Sequence, residues 1–524
     1  MRSFAVVVAS LVAATAMAAS ADLYVASGMI LPISRVDPGT KMTYSFNVYD
    51  SGPDPANARL TLQFPAGTQF VGVSELRWQC SANAAAVVVC TRRLEPSAYG
   101  HEPPLDIDII APEDPRGVNT TVKAQIESDV PDPNPGTNVA YALITVYRTF
   151  MVNTPNDFGA GSLRATIEQA NAECDGDVPC KIRFDRAMRI VPRTPLPALS
   201  NCNITIDGGT YYELDPVPLN RYFDVPRRVE LAGDDVNSGS GILVASTCNK
   251  PYLASIIVRG LAIGGFPENG VEVRGDATVS VEGCFIGTNA NGTAAAPNGL
   301  RGISANAPKG FLLVSNSLIG ANGRSGIAMW SIEEASLYGN LIGVRFGGIP
   351  MPNGASGVYV DRAHKVRSQK NAIEYNREFG FAIGPHAEHV ASDGDYIIAN
   401  GGLALDWGLD GPSGGRSGMP SIPRLTDAFF DPTAGGTVVR GVYVPPAVGY
   451  ANVRLFLTDG DYEGGLLLPQ LGVTTKWSPF EVQFEILLKG DRTGQRISAQ
   501  SIVYPSAFDS FIDSSEFSAS IVVR

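Results

Sequence analysis

Hydrophobic and polar positions alternate with period two along short runs through most of this chain. The runs end in glycine, proline, asparagine or aspartate. Met42 to Val48, Ala58 to Phe64, Leu105 to Ile110, Val122 to Ile126 and Val139 to Val146 are such runs, and they predict the strands of an Ig-like β-sandwich over 22–147. Beyond residue 150 the pattern changes. Leu163, Ile167 and Ala170 recur at helical spacing behind Ser162, a candidate N-cap, and predict one short helix. Repeats follow. Gly270-Val271-Glu272-Val273 returns at Gly302, Gly326, Gly357, Gly380 and Gly402. A second unit runs Val281 to Gly287, Val314 to Gly320 and Leu337 to Gly343, with a weaker copy at Arg367 to Ile373. Isoleucines 286, 319, 342, 373 and 398 mark coils separated by 33, 23, 31 and 25 residues. The longer steps carry insertions at Thr288 to Pro297 and Arg345 to Pro352, both between the same two strands. Each coil alone exposes an apolar face that only stacking can bury, and the helix is suited to cover the open end of the stack. Glycine and asparagine at the corners are expected to supply positive-φ turns. After a Gly/Ser/Pro-rich stretch from Gly411 to Pro423, alternating strands resume over 424–524. The expected fold is all-β: a parallel β-helix over 150–423, right-handed by the chirality of parallel crossovers, flanked by N-terminal and C-terminal β-sandwiches.

Charge and cysteine narrow the setting. The net charge is −12 and no run of lysine or arginine occurs, which argues against nucleic acid or an anionic membrane as partner. Residues 1–21 read as a signal peptide. Arg2 precedes the apolar run Phe4 to Ala14, and Ala16-Met17-Ala18 and Ala19-Ser20-Ala21 both match the cleavage pattern. That run is too short to cross a bilayer, and nothing later approaches the roughly 18–20 apolar residues a membrane helix needs, so no transmembrane segment is expected. The expected location is secreted or cell-surface, where disulfides persist. Of seven cysteines, Cys80 with Cys90 and Cys174 with Cys180 are candidate local disulfides. Cys202 with Cys248 is a candidate third, and Cys284 sits in a repeat position suited to a buried thiol. No cysteine or histidine spacing fits a metal site, with His101, His364, His386 and His389 included. Nothing in the sequence bears on oligomeric state.

Three groups of residues carry a resemblance. Ser51 to Ala56, Phe64-Pro65-Ala66-Gly67, Trp78-Gln79-Cys80 with Cys90-Thr91, and Pro131 to Pro135 resemble the conserved-repeat domain of bacterial surface proteins, which implies a spacer without catalysis. Asp157 to Asn171 with Ile204 to Gly209, Ile286 to Thr293 with Pro297-Asn298-Gly299, and Asn400 to Gly411 resemble pectin-lyase-like parallel β-helix proteins. Ser515 to Ala519 resembles the end of a sandwich that follows such a helix. This fold hosts lyases, hydrolases, esterases and non-enzymes, so the resemblance speaks for architecture and leaves chemistry open.

Aligning the repeats on their glycines gives two outward columns. One holds Glu272, Ser304, Ala328, Tyr359, Ala382 and Ala404; the other holds Arg274, Asn306, Trp330, Asp361, Gly384 and Asp406. Trp330, Tyr359, Asp361, Asn306 and Trp407 are the candidate ligand-binding residues, and a polysaccharide or cell-surface glycan is the expected partner. The expected activity is non-catalytic binding or adhesion. A polysaccharide lyase or glycoside hydrolase is the alternative, with Asp361, Arg362 and Asp406 as catalytic candidates. Two coils set Asp361 and Asp406 roughly 10 Å apart, within reach of the ~6.5–9.5 Å carboxyl spacing of inverting hydrolysis. Arg362, His364, Lys365, Arg367 and Lys370 form the basic cluster that β-elimination would need. No cofactor is required, and calcium is the one the side chains admit, through Asp393, Asp395, Asp406 and Asp410.

Overall fold

The computed structural model describes residues 19–31, 35–74, 77–83, 86–97, 103–113, 121–143, 145–174, 179–209, 226–246, 255–411, 420–445, 450–461, 463–468, 474–476, 480–504 and 513–524. Residues 1–18 of the expected signal peptide, His101 and Cys248 lie outside these. The chain forms two compact units that divide between Arg148 and Thr149.

In the first unit the alternating runs become two antiparallel sheets. One orders Leu23–Leu31, Lys41–Asp50, Leu105–Ile110 and Gln69–Val73; the other orders Val139–Leu143, Thr121–Ser128, Ala56–Gln63, Val87–Leu94 and Gln79–Ala82. Period-two burial turns Tyr44, Phe46, Leu60, Leu62, Ile107 and Ile126 into one shared core. Cys80 and Cys90 face each other on neighbouring strands and are disulfide-bonded. The unit starts earlier than residue 22. Ala21 is fully buried and donates its N–H to the Pro131 carbonyl at 3.0 Å, and the Ser20 N–H reaches the Asp54 carboxylate at 2.9 Å.

The second unit is a parallel β-helix. Its strands stack into three ladders, here called faces. Face 1 runs through Ile242–Val244, Val271–Arg274, Ile303, Ile327, Val358–Val360, Phe381–Ile383 and Leu405–Trp407. Face 2 runs from Arg148–Val152 through Cys180–Phe184, Ile204–Asp207, Ser255–Arg259 and Thr278–Glu282 to Ala363–Gln369 and Val390–Asp393. Face 3 runs from Met188–Ile190 to Tyr396–Ile398. Two long strands, Ile303–Ser315 and Ile327–Tyr338, bend across faces 1 and 2 and merge them into one sheet. Val271, Ile303, Ile327, Val358, Phe381 and Leu405 stand in one column, which gives coils of 32, 24, 31, 23 and 24 residues. The two longer coils project small antiparallel excursions from the corner between faces 3 and 1, at Thr288 opposite Ala295 and at Val344–Arg345 opposite Ile349–Pro350. On face 3 the isoleucine column ends at Ile397, which pairs with Ile373, and not at Ile398.

Corner glycines take the expected positive φ where Gly283, Gly287, Gly339 and Gly343 turn into and out of face 3, and the glycines of the first repeat serve a different end. Those before face 1 are not in the positive-φ region; they are needed because the chain passes too close to its neighbours. A Cβ on Gly357 would lie 2.4 Å from Ile373 Cγ2 and 2.8 Å from the Gly380 carbonyl. The asparagines likewise form ladders. At the turn into face 1, Asn298, Asn322, Asn353 and Asn376, all buried, each donate Nδ2 to the Oδ1 of the next at 2.9 Å, and the ladder ends on Asn400. A second ladder passes from Asn340 to Asn371 and ends on Asp395. Asn316 does adopt the positive φ, at 50°.

Both ends of the helix are covered. Helix Leu163–Glu173 is capped by Ser162, whose Oγ accepts from the Ala165 N–H, and it buries Leu163, Ile167 and Ala170 on the first coils. Cys174 and Cys180 are disulfide-bonded at its exit. Cys202 is also disulfide-bonded, while Cys284 is a free, buried thiol. At the other end, Arg424–Asp431, Gly436–Tyr443 and Val482–Lys489 form one antiparallel sheet, and strands around Tyr450–Thr458 and Arg496–Tyr504 form another. Phe456 from these strands and Phe517 from the segment that follows them pack edge to face at 5.1 Å and belong to the β-helix core itself. The C-terminal strands therefore close the solenoid and share its hydrophobic interior. No helix among the described residues is long and apolar enough to cross a membrane.

Candidate functional site

Face 1 alternates as a strand must: Val271, Val273, Ile303, Val358 and Val360 point inward, and Glu272, Ser304, Ala328, Tyr359, Ala382 and Asp406 point outward in one column. Trp330 departs from the sequence alignment. Ala305 pairs with Met329 but Asn306 pairs with Ser331, so Trp330 is the extra residue of a β-bulge. The bulge turns its ring out beside the next coil. Trp330 and Tyr359 lie 4.7 Å apart between centroids, tilted by 45°, and the Arg301 guanidinium sits 4.8 Å from the Trp330 ring. All three are half-buried, which leaves a firm patch with one open side. Asn306 is exposed nearby on the same sheet. Arg301 carries no signal in the sequence, because it precedes the repeat glycine and falls in no outward column.

Charge surrounds these rings. Arg324 lies close enough to Arg301 to lower its pKa, together with the larger effect of burial. Burial, and then the neighbouring Asp361, raise the Tyr359 pKa, while Arg362 and Arg301 act against them. The Arg362 side chain is exposed and its guanidinium is 3.8 Å from Asp361. Arg274 closes a 2.7 Å ion pair with Glu272, whose other oxygen accepts from Ser240 Oγ.

The carboxylate pair considered for hydrolysis is not formed. Asp361 is buried and accepts from both the backbone N–H and Nδ1 of His386, at 3.3 and 3.1 Å, and Gly384 leaves the room for it. Asp406 pairs with Ala382, two residues off the column that Asp361 occupies, because Ala404 and not Gly402 takes the repeat-glycine position: the Phe381 N–H bonds the Ala404 carbonyl. Asp406 is 0% exposed and so cannot flank an open groove. Trp407 is not a surface residue either. It points inward, 2% exposed, with its indole N–H on the Ser514 carbonyl at 2.9 Å, so it offers no surface to a ligand. The basic cluster is spread along face 2: His364 pairs with Glu388 at 2.9 Å and Lys370 reaches the Tyr338 hydroxyl at 3.2 Å.

The sequence matches no family model and no curated protein. Among solved structures the chain is similar to full-length tailspike protein 2 from Escherichia coli O157:H7 bacteriophage CAB120, at 10% identity and a TM-score of 0.25, over 74% of each chain. A cycloisomaltooligosaccharide glucanotransferase of Paenibacillus sp. is similar at 11% identity and a TM-score of 0.18, over 96% of this chain and 72% of that one. Likenesses this distant transfer no activity.

The four aspartates considered for calcium separate into two groups. Asp393 is ion-paired with Arg454, and the buried Asp395 accepts from Asn371 and Ser392 as the foot of the asparagine ladder, so neither has an oxygen directed at a cation. Asp406 and Asp410 do converge, and a third carboxylate joins them: oxygens of Asp406, Asp410 and Glu516 lie within 4.8 Å of one another. Glu516 stands 106 residues beyond Asp410, in a strand region with no local signal that it returns to the last coil.

Two clefts lie elsewhere in this unit. One of about 500 Å³ runs between Tyr396 and Ile398 of face 3 and the C-terminal strands at Leu457, Asp459 and Arg496. A second, about 340 Å³, is lined by Tyr338, Lys370 and Tyr396 at the corner of faces 2 and 3. The Trp330 patch is open sheet surface, a shape suited to an extended chain lying along it.

Proposed function

We propose that this protein binds a polysaccharide along face 1 of its β-helix, with anionic sugars preferred, and does not cleave it. The observation that carries the proposal is the ring pair Trp330 and Tyr359 held beside Arg301. The apolar face of a pyranose packs on an aromatic ring, and ring edges held by a rigid sheet lose little entropy on binding. Arg301, Arg324 and Arg362 around the rings present guanidinium groups to sugar carboxylates, which they can grip in bidentate fashion. That preference runs against the overall acidity of the chain, so it is a local property. Binding is favoured over hydrolysis because Glu272 and Asp361 are already committed to Arg274 and His386.

Affinity electrophoresis through gels containing acidic or neutral polysaccharides tests this reading. Trp330→Ala is expected to weaken retention by about 10–100-fold, the range for a central aromatic anchor. Arg301→Gln should weaken it for acidic polysaccharides and flatten the salt dependence. Equal retention of wild type and Trp330→Ala on every glycan that binds would overturn the proposal.

The reading includes export through the leader sequence. The hydrogen bonds of Ser20 and Ala21 favour cleavage after Ala18 over cleavage after Ala21. N-terminal sequencing of the protein recovered outside the cell is expected to begin Ala19-Ser20-Ala21; a chain beginning at Asp22 would contradict this.

A further inference from the structure

Trp407, the last inward residue of face 1, is flanked by an acidic side chain on each side of the coil. Asp406 precedes it, and Glu516 accepts the Trp407 N–H at 3.0 Å through Oε1. Asp406 is 0% exposed and Glu516 is 3% exposed. Neither oxygen of Asp406 has a hydrogen-bond partner, nor does Oε2 of Glu516. The N–H groups of Leu409, Asp410 and Gly411 approach Asp406 without closing a hydrogen bond of good geometry, and they offset only part of the cost of burial. Asp410 joins from the exposed side, and the three carboxylates meet within 4.8 Å. Two buried carboxylates with idle oxygens facing each other are expensive unless something positive sits between them. No lysine, arginine or histidine does so among the described contacts of these oxygens.

We propose that Asp406, Asp410 and Glu516 bind one calcium ion, which fastens the C-terminal strands to the last coil of the β-helix. Three carboxylates supply hard oxygen ligands, and the exposed side at Asp410 leaves room for waters to complete the six to eight that calcium takes. Magnesium, smaller and demanding near-octahedral geometry, fits such an irregular set less well. The ion would link two segments far apart in sequence, and it would do so where Phe517 enters the helix core and Ser514 holds the Trp407 indole. Burial pushes the Glu516 carboxyl up to about 7 in the metal-free protein, against the Trp407 N–H, with Asp406 and Asp410 adding to the rise.

The test uses the full processed chain, stripped with a chelator and titrated with calcium chloride or magnesium chloride by calorimetry, with thermal melting in parallel. The expected result is one calcium per chain with a dissociation constant of about 10⁻³ M or tighter, and a melting temperature that rises with calcium and less with magnesium. Asp410→Asn, at an exposed position that threatens no fold, should weaken calcium binding about 10-fold, the loss of one carboxylate ligand. Glu516→Gln should fold and lose the calcium response. The proposal is overturned by a melting temperature indifferent to calcium at about 10 mM, ten times the weakest affinity expected. A proton shared by Asp406 and Glu516 would give that outcome. It is equally overturned by a calcium response that Asp410→Asn and Glu516→Gln leave at wild-type size.

Discussion

Replacing Asp207 by asparagine is expected to cost the β-helix unit about 3–5 kcal/mol, the range for removing one partner of a buried ion pair. Asp207 ends a face 2 strand, and its Oδ2 is 2.6 Å from Arg259 and 3.0 Å from Lys181; its Oδ1 accepts the Gly209 N–H. Lys181 is 4% exposed, so the carboxylate balances charge that water does not reach. Burial alone would raise the Asp207 pKa, but the Arg259 hydrogen bond and the two cations outweigh it and hold the group at about 2. A carboxyl whose pKa is lower folded than unfolded stabilises the fold above its unfolded value and loses that contribution as pH falls through the folded one. The window is therefore from about pH 4 down to about 2, and the contribution is about 2–3 kcal/mol. Urea unfolding of wild type and Asp207→Asn measures both effects. The difference between them should be largest at neutral pH and shrink across that acid window; a gap that does not change with pH would contradict the assignment.

The asparagine ladder carries the second large effect. Asn353 is fully buried; its Oδ1 accepts from the N–H and Nδ2 of Asn322, and its Nδ2 donates to the Ile319 carbonyl and to Asn376 Oδ1. Asn353→Leu keeps the shape and removes all four bonds. The Ile319 carbonyl still accepts from the Gly343 N–H, and Asn322 Nδ2 still reaches other carbonyls. The Asn322 N–H and Asn376 Oδ1 are left buried without a partner, at about 1–3 kcal/mol each, so the expected loss is about 2–6 kcal/mol. Asn306→Ala, at an exposed asparagine two coils away, should change stability by no more than about 0.5 kcal/mol. In a stack where each coil contacts only its neighbours, the loss should appear first as reduced amide-exchange protection in the coils around Asn353. A uniform loss across the unit, or none, would contradict the ladder's role.

The coils were legible in the sequence because their demands repeat. A glycine that must clear the isoleucine of face 3 recurs in every coil that has another above it, and so does the apolar pair that follows. Legibility failed where the repeat stops. No further coil stacks on the last one, Ala404 stands in the place of the glycine, and an alignment anchored on Gly402 slides by two residues. That slip misplaces Asp406 by one outward position; because a two-residue slip keeps the alternation, Trp407 has inward parity in either register. The same coil offers Ile397 and Ile398 side by side, and only pairing with Ile373 separates the core residue from its neighbour. Trp330 stands out as a candidate because aromatic and carboxylate residues cluster in consecutive repeats, but its bulge leaves no mark in the sequence. Asn298, Asn322, Asn353, Asn376 and Asn400 recur at coil spacing and could have been read as a ladder. Arg301 and Glu516 had no such pattern: one precedes the strand, and the other returns from a separate sheet.

The central claim is that a polysaccharide lies on face 1, and hydroxyl-radical footprinting with and without an acidic polysaccharide that the protein retains tests it most directly. Trp330 and Tyr359 are expected to become protected, while Tyr141, exposed in the first unit, keeps its labelling and serves as the internal standard. Protection confined to Tyr338 and Tyr396, at the corner cleft, or unchanged labelling of Trp330 and Tyr359 in the bound state, would contradict the account.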